Sequence, residues 1–110
     1  LKLRKLGLGV QVLAKLNQPE AAVEVIRHTP FDVLFLDIEM PRLNGFDVLA
    51  KFTDFTFDVI FTTAYDQYAI RAFQASALNY LLKPIQEDEL RTAVERWQQR
   101  QQRQLQRAQY

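Results

Sequence analysis

Apolar positions along the chain fall into short blocks that predict strands alternating with helices. Residues 10–16 are apolar and extended, and the stretch after them places Ala22, Val23 and Ile26 on one face of a helix. Residues 31–38 form a near-continuous apolar run, which is typical of a strand buried on both faces of a sheet. The first part of the chain therefore predicts a strand, a helix and a second, buried strand.

The alternation continues through the middle of the chain. Pro41 and Gly45 bracket a loop that leads into a further helix, and residues 59–62 form a β-branched and aromatic strand. Residues 65–75 predict the next helix. The core face of that helix is expected to hold Ala69, Ala72 and Phe73.

A last strand and helix complete the pattern. Residues 79–82 predict a short strand, and residues 87–103 predict a helix. The segment 98–110 is rich in Gln and Arg, so we expect a domain over residues 1–97 and a polar helical extension or linker over 98–110. The helix is expected to carry an apolar stripe of Leu90, Val94 and Trp97.

This order of elements predicts an α/β fold. A parallel neighbouring strand can be reached only by a crossover connection, and here the crossovers are the predicted helices. The predicted class is therefore a doubly wound parallel sheet with helices on both faces.

Composition narrows the function classes. A chain of 110 residues with 48% hydrophobic content suffices for one core, and its net charge of +1 is too small to argue for nucleic acid or a membrane surface as a direct partner. The absence of cysteine excludes disulfides, thiolate metal sites and cysteine nucleophiles, and it agrees with a reducing, cytoplasmic compartment. No apolar run approaches the roughly 20 residues of a membrane span.

Candidate chemistry lies where three of the predicted strands end. In doubly wound sheets, functional groups lie in loops beyond the carboxyl ends of the strands, and Asp37, Thr63 and Lys83 fall there. A carboxylate nucleophile, a hydroxyl donor and an ammonium group would suit phosphoryl transfer. Spacing alone leaves a second interpretation open, in which Asp37 caps a loop, Thr63 ends a strand and Lys83 is solvated.

Three local motifs favour the first interpretation. Residues 36–41 read Leu-Asp-Ile-Glu-Met-Pro, and Asn-Gly-Phe follows at 44–46. Residues 61–65 read Phe-Thr-Thr-Ala-Tyr, and residues 80–84 read Tyr-Leu-Leu-Lys-Pro. In this order and at these separations, the motifs strongly resemble the receiver domains of bacterial response regulators, which have a flavodoxin-like fold.

The resemblance implies a role for each matching residue. Asp37 would be the phosphoacceptor and, together with the main-chain carbonyl of Glu39, a ligand of Mg²⁺. Thr63, the N–H of Ala64 and Lys83 would bind the oxygens of the phosphoryl group. The side chain of Glu39 is given no role by the resemblance.

The resemblance also implies a conformational switch. Tyr80 would follow Thr63 inward after phosphorylation, and Pro84 would carry a cis peptide bond. Phosphorylation adds charge and acceptor oxygens, so it would favour the conformation that brings Thr63 and Lys83 close together.

A finer resemblance indicates the biological setting. Residues 65–73 and 79–84 are similar to receivers that precede a LytTR-type DNA-binding domain. The resemblance implies phosphorylation by a sensor histidine kinase and output through a DNA-binding domain outside this chain. Such a protein is a signalling switch with at most slow self-dephosphorylation, and not an enzyme.

One family feature has no match in the sequence. Receivers carry adjacent acids at the end of their first strand, whereas the acids upstream of Asp37 are Glu20, Glu24 and Asp32, which fall in a helix or near the start of a strand. One interpretation places the first strand and its acids before residue 1. The other is a degenerate, phosphate-independent receiver that acts as a dimerisation or docking module. A second copy of the chain could supply the missing first strand by exchange. We therefore expect a homodimer, with strand or helix exchange, in addition to the kinase as a partner.

Overall fold

The computed structural model describes residues 19–28, 31–52 and 55–108. The strand predicted at residues 10–16 lies outside these ranges. Within them, helices and strands alternate as the apolar pattern predicts. The elements are α1 (Pro19–His28), β1 (Val33–Asp37), α2 (Gly45–Leu49), β2 (Asp58–Thr63), a 3₁₀ turn (Asp66–Tyr68), α3 (Ala69–Gln74), β3 (Asn79–Leu82) and α4 (Glu87–Ala108).

The described strands form one parallel sheet in the order β1-β2-β3. Asp37 at the end of β1 pairs with Thr62, and Thr63 at the end of β2 pairs with Leu82. Parallel strands carry their carboxyl ends to the same edge of a sheet. The register therefore brings the ends of all three strands to one edge.

Helices cover both faces of this sheet, because successive residues of β2 point to opposite sides. Val59 and Phe61 belong to one buried cluster and Ile60 to another. The first cluster is completed by α1, α2 and α3, and the second by α4. The buried residues that the helices contribute to these two clusters are Ala22, Ile26, Phe46, Val48, Leu49 and Ala72 on the first face and Leu90, Ala93 and Val94 on the second.

The loop after β1 closes tightly against the strand that it leaves. The N–H of Gly45 donates to the carbonyl of Ile38 at 2.9 Å, and a Cβ at position 45 would lie 2.6 Å from the carbonyl oxygen of Asp37. Only glycine fits that approach. Asn44 caps α2 by accepting from the N–H of Asp47, whose side chain accepts from the N–H of Asn44 in return.

The helix predicted at residues 65–75 differs from the expectation in one respect. It is divided into the 3₁₀ turn and the six-residue α3, and only Ala72 of the predicted core face is buried. Ala69 is exposed, and Phe73 is 84% exposed. The prediction for Ala69 and Phe73 is wrong because only a narrow stripe of α3 through Ala72 packs on the sheet, and Phe73, the next residue, points about 100° away from it.

Helix α4 runs unbroken from Glu87 to Ala108 and crosses the predicted boundary at residue 97. Its first half packs on the sheet, and Trp97 is partly buried at the end of that contact. Beyond it, Arg100 reaches back to Asp58 at 3.2 Å. Within residues 19–28, 31–52 and 55–108, no helix has the length and apolar character to span a membrane.

Candidate functional site

The site lies at the edge of the sheet where the carboxyl ends of the strands meet. Asp37 is the last residue of β1, Thr63 is the last residue of β2, and Lys83 directly follows β3. The N–H of Lys83 donates to the carbonyl of Thr63 at 2.7 Å, which extends the pairing of β2 and β3 by one residue. The Lys83–Pro84 peptide bond is cis, as the resemblance implies.

The carboxylate of Asp37 is held by two donors. Lys83 Nζ lies 2.5 Å from Oδ2, and the N–H of Glu39 donates to Oδ1 at 3.1 Å. The side chain of Asp37 is 31% exposed and that of Lys83 is 42% exposed. An ion pair open to water to this degree contributes about 0–1 kcal/mol to stability. The contact therefore matters chiefly because it orients a carboxylate and an ammonium group toward each other across the width of β2.

A second carboxylate, that of Glu39, occupies the neighbouring donors. Thr63 Oγ1 donates to Glu39 Oε2 at 2.5 Å, and the N–H of Ala64 donates to Oε1 at 2.8 Å. Thr63 is fully buried and its hydroxyl oxygen also accepts from the N–H of Tyr65 at 3.1 Å. The hydroxyl group is therefore fixed in direction, and the carboxylate of Glu39 is bound through both of its oxygens.

The aromatic residue beside the site is tied to the loop after β2. The hydroxyl group of Tyr80, on β3, donates to the carbonyl of Tyr65. Burial raises the pKa of Tyr80 above its ordinary value, and the nearby charges of Asp66 and Glu39 act in the same direction. The phenol therefore stays protonated and remains a donor over the ordinary pH range.

An ion pair connects the loop after β1 to helix α1. Arg42 Nε lies 2.6 Å from Glu20 Oε1, and a second guanidinium nitrogen lies 2.7 Å from Oε2. The hydrogen bonds from Arg42 lower the pKa of Glu20 from 4.5 to about 2. Arg42 adopts a positive φ of 69°, a conformation uncommon for residues other than glycine. The pair joins the start of α1 to the loop that follows Asp37.

The residues named from the sequence thus come together. Asp37 and Lys83 are in contact, and Thr63 and Ala64 are connected to them through Glu39. The side chain of Glu39 is the participant that the sequence-based interpretation missed. The motif at residues 36–41 placed Glu39 directly after the strand that ends at Asp37, but β1 stops there, and the direction of the Glu39 side chain depends on the fold of the following loop.

The side-chain groups of the site that could bind a metal ion are oxygen atoms. In the part of the chain that the structure describes, no group of three or more His, Cys, Asp and Glu side chains is placed to hold a metal ion. The site consists of two carboxylates, an ammonium group, a hydroxyl group and backbone N–H groups. Chemically, such a set combines a carboxylate that can act as a nucleophile with hydrogen-bond donors of the kind that bind phosphoryl oxygens.

Comparison with known proteins decides the family. The profile of the response regulator receiver domain matches residues 3–95. The chain belongs to the response regulator receiver family. It is therefore a receiver domain of two-component signalling, a family not generally classed among the enzymes.

Similar receivers occur in several bacteria. A response regulatory protein of Yersinia pestis is 38% identical over 89 residues, the transcriptional regulatory protein BtsR of Salmonella typhi 35% over 91 residues, and the sensory transduction protein LytT of Bacillus cereus 33% over 98 residues. These matches cover 80%, 82% and 87% of this receiver but 37%, 38% and 40% of the relatives. The resemblance to LytTR-type regulators is confirmed, and the receiver spans less than half the length of these relatives.

Solved structures agree on the fold. A DNA-binding response regulator of the LuxR family from Staphylococcus aureus superposes with a TM-score of 0.77 at 28% identity, covering 87% of this receiver and 83% of that chain. The response regulator TrrA of Thermotoga maritima, solved in complex with Mg²⁺ and beryllofluoride, gives 0.73 at 26% identity, covering 87% and 84%. The described helices and parallel strands are therefore those of an α/β receiver fold.

Proposed function

We propose that this receiver accepts a phosphoryl group on Asp37 from a sensor histidine kinase or a small donor. The observation that carries the proposal is the contact between Lys83 Nζ and the Asp37 carboxylate at the shared strand edge, with the donors of Thr63 and Ala64 beside it. The carboxylate provides the nucleophile, and the three donors offer one contact to each oxygen of the incoming group.

The transfer itself is a displacement at phosphorus. A carboxylate oxygen of Asp37 forms a bond to phosphorus while the bond from phosphorus to the donor breaks, with its electron pair passing to the leaving group. With phosphohistidine, the leaving imidazole takes a proton from water; with acetyl phosphate, acetate leaves. Lys83 neutralises charge on the phosphoryl oxygens, and the buried hydroxyl of Thr63 donates to another of them.

The described residues offer part of a site for the Mg²⁺ that receivers bind. Mg²⁺ is held in proteins by one or two carboxylates together with waters, and the Asp37 carboxylate is such a ligand, although in this structure its oxygens accept from the N–H of Glu39 and from Lys83. We propose Asp37 and the main-chain carbonyl of Glu39 as its ligands, in keeping with the Mg²⁺ complex of the related TrrA. When bound, the ion would neutralise charge on the phosphoryl oxygens.

The switch would operate through Thr63 and Tyr80. A phosphoryl group bound by Thr63 and Lys83 stabilises the conformation in which both are close to Asp37. Shifting an equilibrium from 1:99 to 99:1 needs about 5.5 kcal/mol, which a few charge-assisted hydrogen bonds can supply. Tyr80 and Pro84 connect this change to β3, and α3 and α4 flank it, so that surface would differ between the two states.

The setting follows from the relatives. Because BtsR and LytT are named as regulatory and sensory transduction proteins, we propose a cytoplasmic regulator whose DNA-binding domain lies outside this chain. We also propose that the sheet continues beyond β1 in the doubly wound, flavodoxin-like order. A strand or helix exchanged with a second copy would cover the edge of the sheet at β1, so we expect a homodimer.

The position of Glu39 favours a second candidate function. Because its carboxylate already satisfies Thr63 and Ala64, a degenerate receiver that never takes up phosphate and acts by dimerisation or docking would show the same contacts. The two functions differ in whether Asp37 reacts.

The test is phosphorylation of the full-length protein with acetyl phosphate and Mg²⁺, followed on a phosphate-affinity gel. The proposal expects a shifted band for the wild type and none for Asp37→Asn. Asp88→Asn removes an exposed acid from α4 and is expected to behave like the wild type. An unshifted wild type would leave the docking function standing and defeat the phosphoacceptor function.

A further inference from the structure

The carboxylate of Glu39 fills the place that a phosphoryl group on Asp37 would need. Thr63 Oγ1 and the N–H of Ala64, which would bind two phosphoryl oxygens, both donate to this one side chain, at 2.5 and 2.8 Å. A carboxylate with its two oxygens imitates two of the three oxygens of a phosphoryl group. The site therefore contains an internal anion before any phosphate arrives.

We propose that Glu39 is a gate: its side chain occupies the phosphoryl-oxygen subsite of the resting receiver and must leave before Asp37 can be phosphorylated. The inference rests on the proposed function, whose acceptor and donors it uses. Asp37 and Glu39 have separate partners at rest, since Lys83 Nζ contacts Asp37 while Thr63 and Ala64 contact Glu39. Phosphorylation would require one anion to replace another at the second pair of donors.

The two anions exclude each other for two reasons. Thr63 has one hydroxyl proton, so it can donate to only one acceptor at a time. Its oxygen accepts from the N–H of Tyr65, which fixes the direction of the group. A carboxylate and a phosphoryl group at the same donors would also repel each other as like charges. The occupied state is therefore an alternative to the phosphorylated state.

The gate has a consequence for the switch. With the hydroxyl of Thr63 drawn to Glu39 and the hydroxyl of Tyr80 bound to Tyr65, the resting receiver already holds part of the arrangement expected after phosphorylation. Glu39 then sets how much donor is needed to start the reaction, because the incoming phosphoryl group must compete with it. This effect acts on the uptake of the phosphoryl group, whereas Asp37 remains the group that reacts.

Three substitutions of Glu39 separate the effect of side-chain length from that of charge. Glu39→Asp keeps the charge but shortens the side chain by one methylene, so it cannot span to both donors. Glu39→Gln keeps the length but replaces one acceptor oxygen by an amide that cannot accept. Glu39→Ala removes both features. A gate predicts that the Asp variant resembles the Ala variant, while a purely electrostatic influence predicts that it resembles the wild type.

The first measurement reports the contact without any phosphoryl donor. In ¹⁵N–¹H spectra of the full-length protein, the amide proton of Ala64 is expected downfield in the wild type, because it donates to a charged acceptor, and upfield in Glu39→Ala and Glu39→Asp. An Ala64 resonance that does not respond to Glu39→Ala would overturn the gate, whatever happens to phosphorylation.

The second measurement is the initial rate of phosphorylation by subsaturating acetyl phosphate with Mg²⁺. We expect Glu39→Ala and Glu39→Asp to react about tenfold faster than the wild type, the order of magnitude for the loss of one charge-assisted hydrogen bond. The rate for Glu39→Gln should lie between that of the wild type and those of the other two variants. A rate for Glu39→Asp equal to that of the wild type, or a lower rate for Glu39→Ala, would overturn the proposal.

The outcomes also distinguish failure of the gate from failure of the proposed phosphoacceptor function. If the wild type and all three variants stay unphosphorylated while the Ala64 resonance shifts as expected, the proposed function fails and the gate fails with it. If the wild type is phosphorylated and the variants are no faster, the gate alone fails. Thermal unfolding of each variant identifies any loss of rate that comes from loss of the fold.

Discussion

Lys83 Nζ lies 2.5 Å from Asp37 Oδ2 and so joins the ends of β1 and β3 across the strand between them. Both side chains are partly open to water, which limits what the pair adds to stability. The pair therefore places a positive charge where a phosphoryl group on Asp37 would arrive.

Replacing Lys83 should separate reactivity from stability. In Lys83→Met, phosphorylation by acetyl phosphate is expected to fall by at least about tenfold, because a charge-assisted contact to the phosphoryl group is lost. The free energy of unfolding, measured by urea denaturation, should change by no more than about 1 kcal/mol. Lys51→Met, which alters an exposed lysine away from the site, provides the matched control. Equal loss of rate in both variants would contradict the role of Lys83.

Substitution of Gly45 tests how closely α2 approaches the end of β1 at Asp37. A Cβ at this position would meet the carbonyl oxygen of Asp37 at 2.6 Å, and neither backbone can easily yield. Gly45→Ala is expected to lower the free energy of unfolding by about 1–3 kcal/mol, the usual range for overpacking. Asn44→Ala is a useful comparison because it removes only a cap, at a cost of about 0.5–2 kcal/mol. An unchanged denaturation midpoint for Gly45→Ala would refute the close approach.

The ion pair between Arg42 and Glu20 predicts a pH-dependent contribution to stability. The pKa of Glu20 is lowered in the folded state to about 2 from 4.5. A lowered carboxyl pKa stabilises the fold above the unfolded value, and that contribution is lost as the pH falls toward the folded value. The urea midpoints of the wild type and Glu20→Gln should differ at pH 7 and converge between about pH 4.5 and pH 2. A gap that stays constant down to pH 2 would contradict the assignment.

Alanine substitutions of Phe73 and Phe61 test whether Phe73 lies outside the core, as the structure of α3 shows. Phe73 is 84% exposed, whereas Phe61 on β2 is fully buried. Phe73→Ala is expected to change the free energy of unfolding by less than about 0.5 kcal/mol, and Phe61→Ala to lower it by about 3–5 kcal/mol. Urea denaturation of the two variants under the same conditions measures both effects. A large loss for Phe73→Ala would show that its ring packs in the fold after all.

Much of this receiver was predictable because its local patterns agree with its long-range structure. The apolar run that ends in Asp37 and the strands before Thr63 and Lys83 predicted a parallel sheet, and a parallel sheet brings strand ends to one edge. The contacts of the Glu39 side chain depend on how the loop after β1 folds back. Apolar spacing carries no information about such a loop.

Other features escaped prediction for related reasons. Glu20 and Arg42 lie 22 residues apart, and their ion pair exists only because α1 and the loop after β1 meet in the folded chain. Phe73 is exposed although Ala72 beside it is buried, because neighbouring residues of an α-helix point about 100° apart and the contact of α3 with the sheet is narrow. Periodicity predicts that a helix exists more reliably than it predicts which side of a short helix faces the sheet.

Chemical mapping of the modified residue determines whether Asp37 becomes an aspartyl phosphate. The full-length protein is treated with acetyl phosphate and Mg²⁺, the acyl phosphate is reduced with borohydride, and peptide mass spectrometry locates the homoserine that replaces the modified aspartate. We expect homoserine at position 37 and at no other aspartate. Homoserine at another position, or unmodified aspartate at position 37 under conditions that phosphorylate a control receiver, would contradict it.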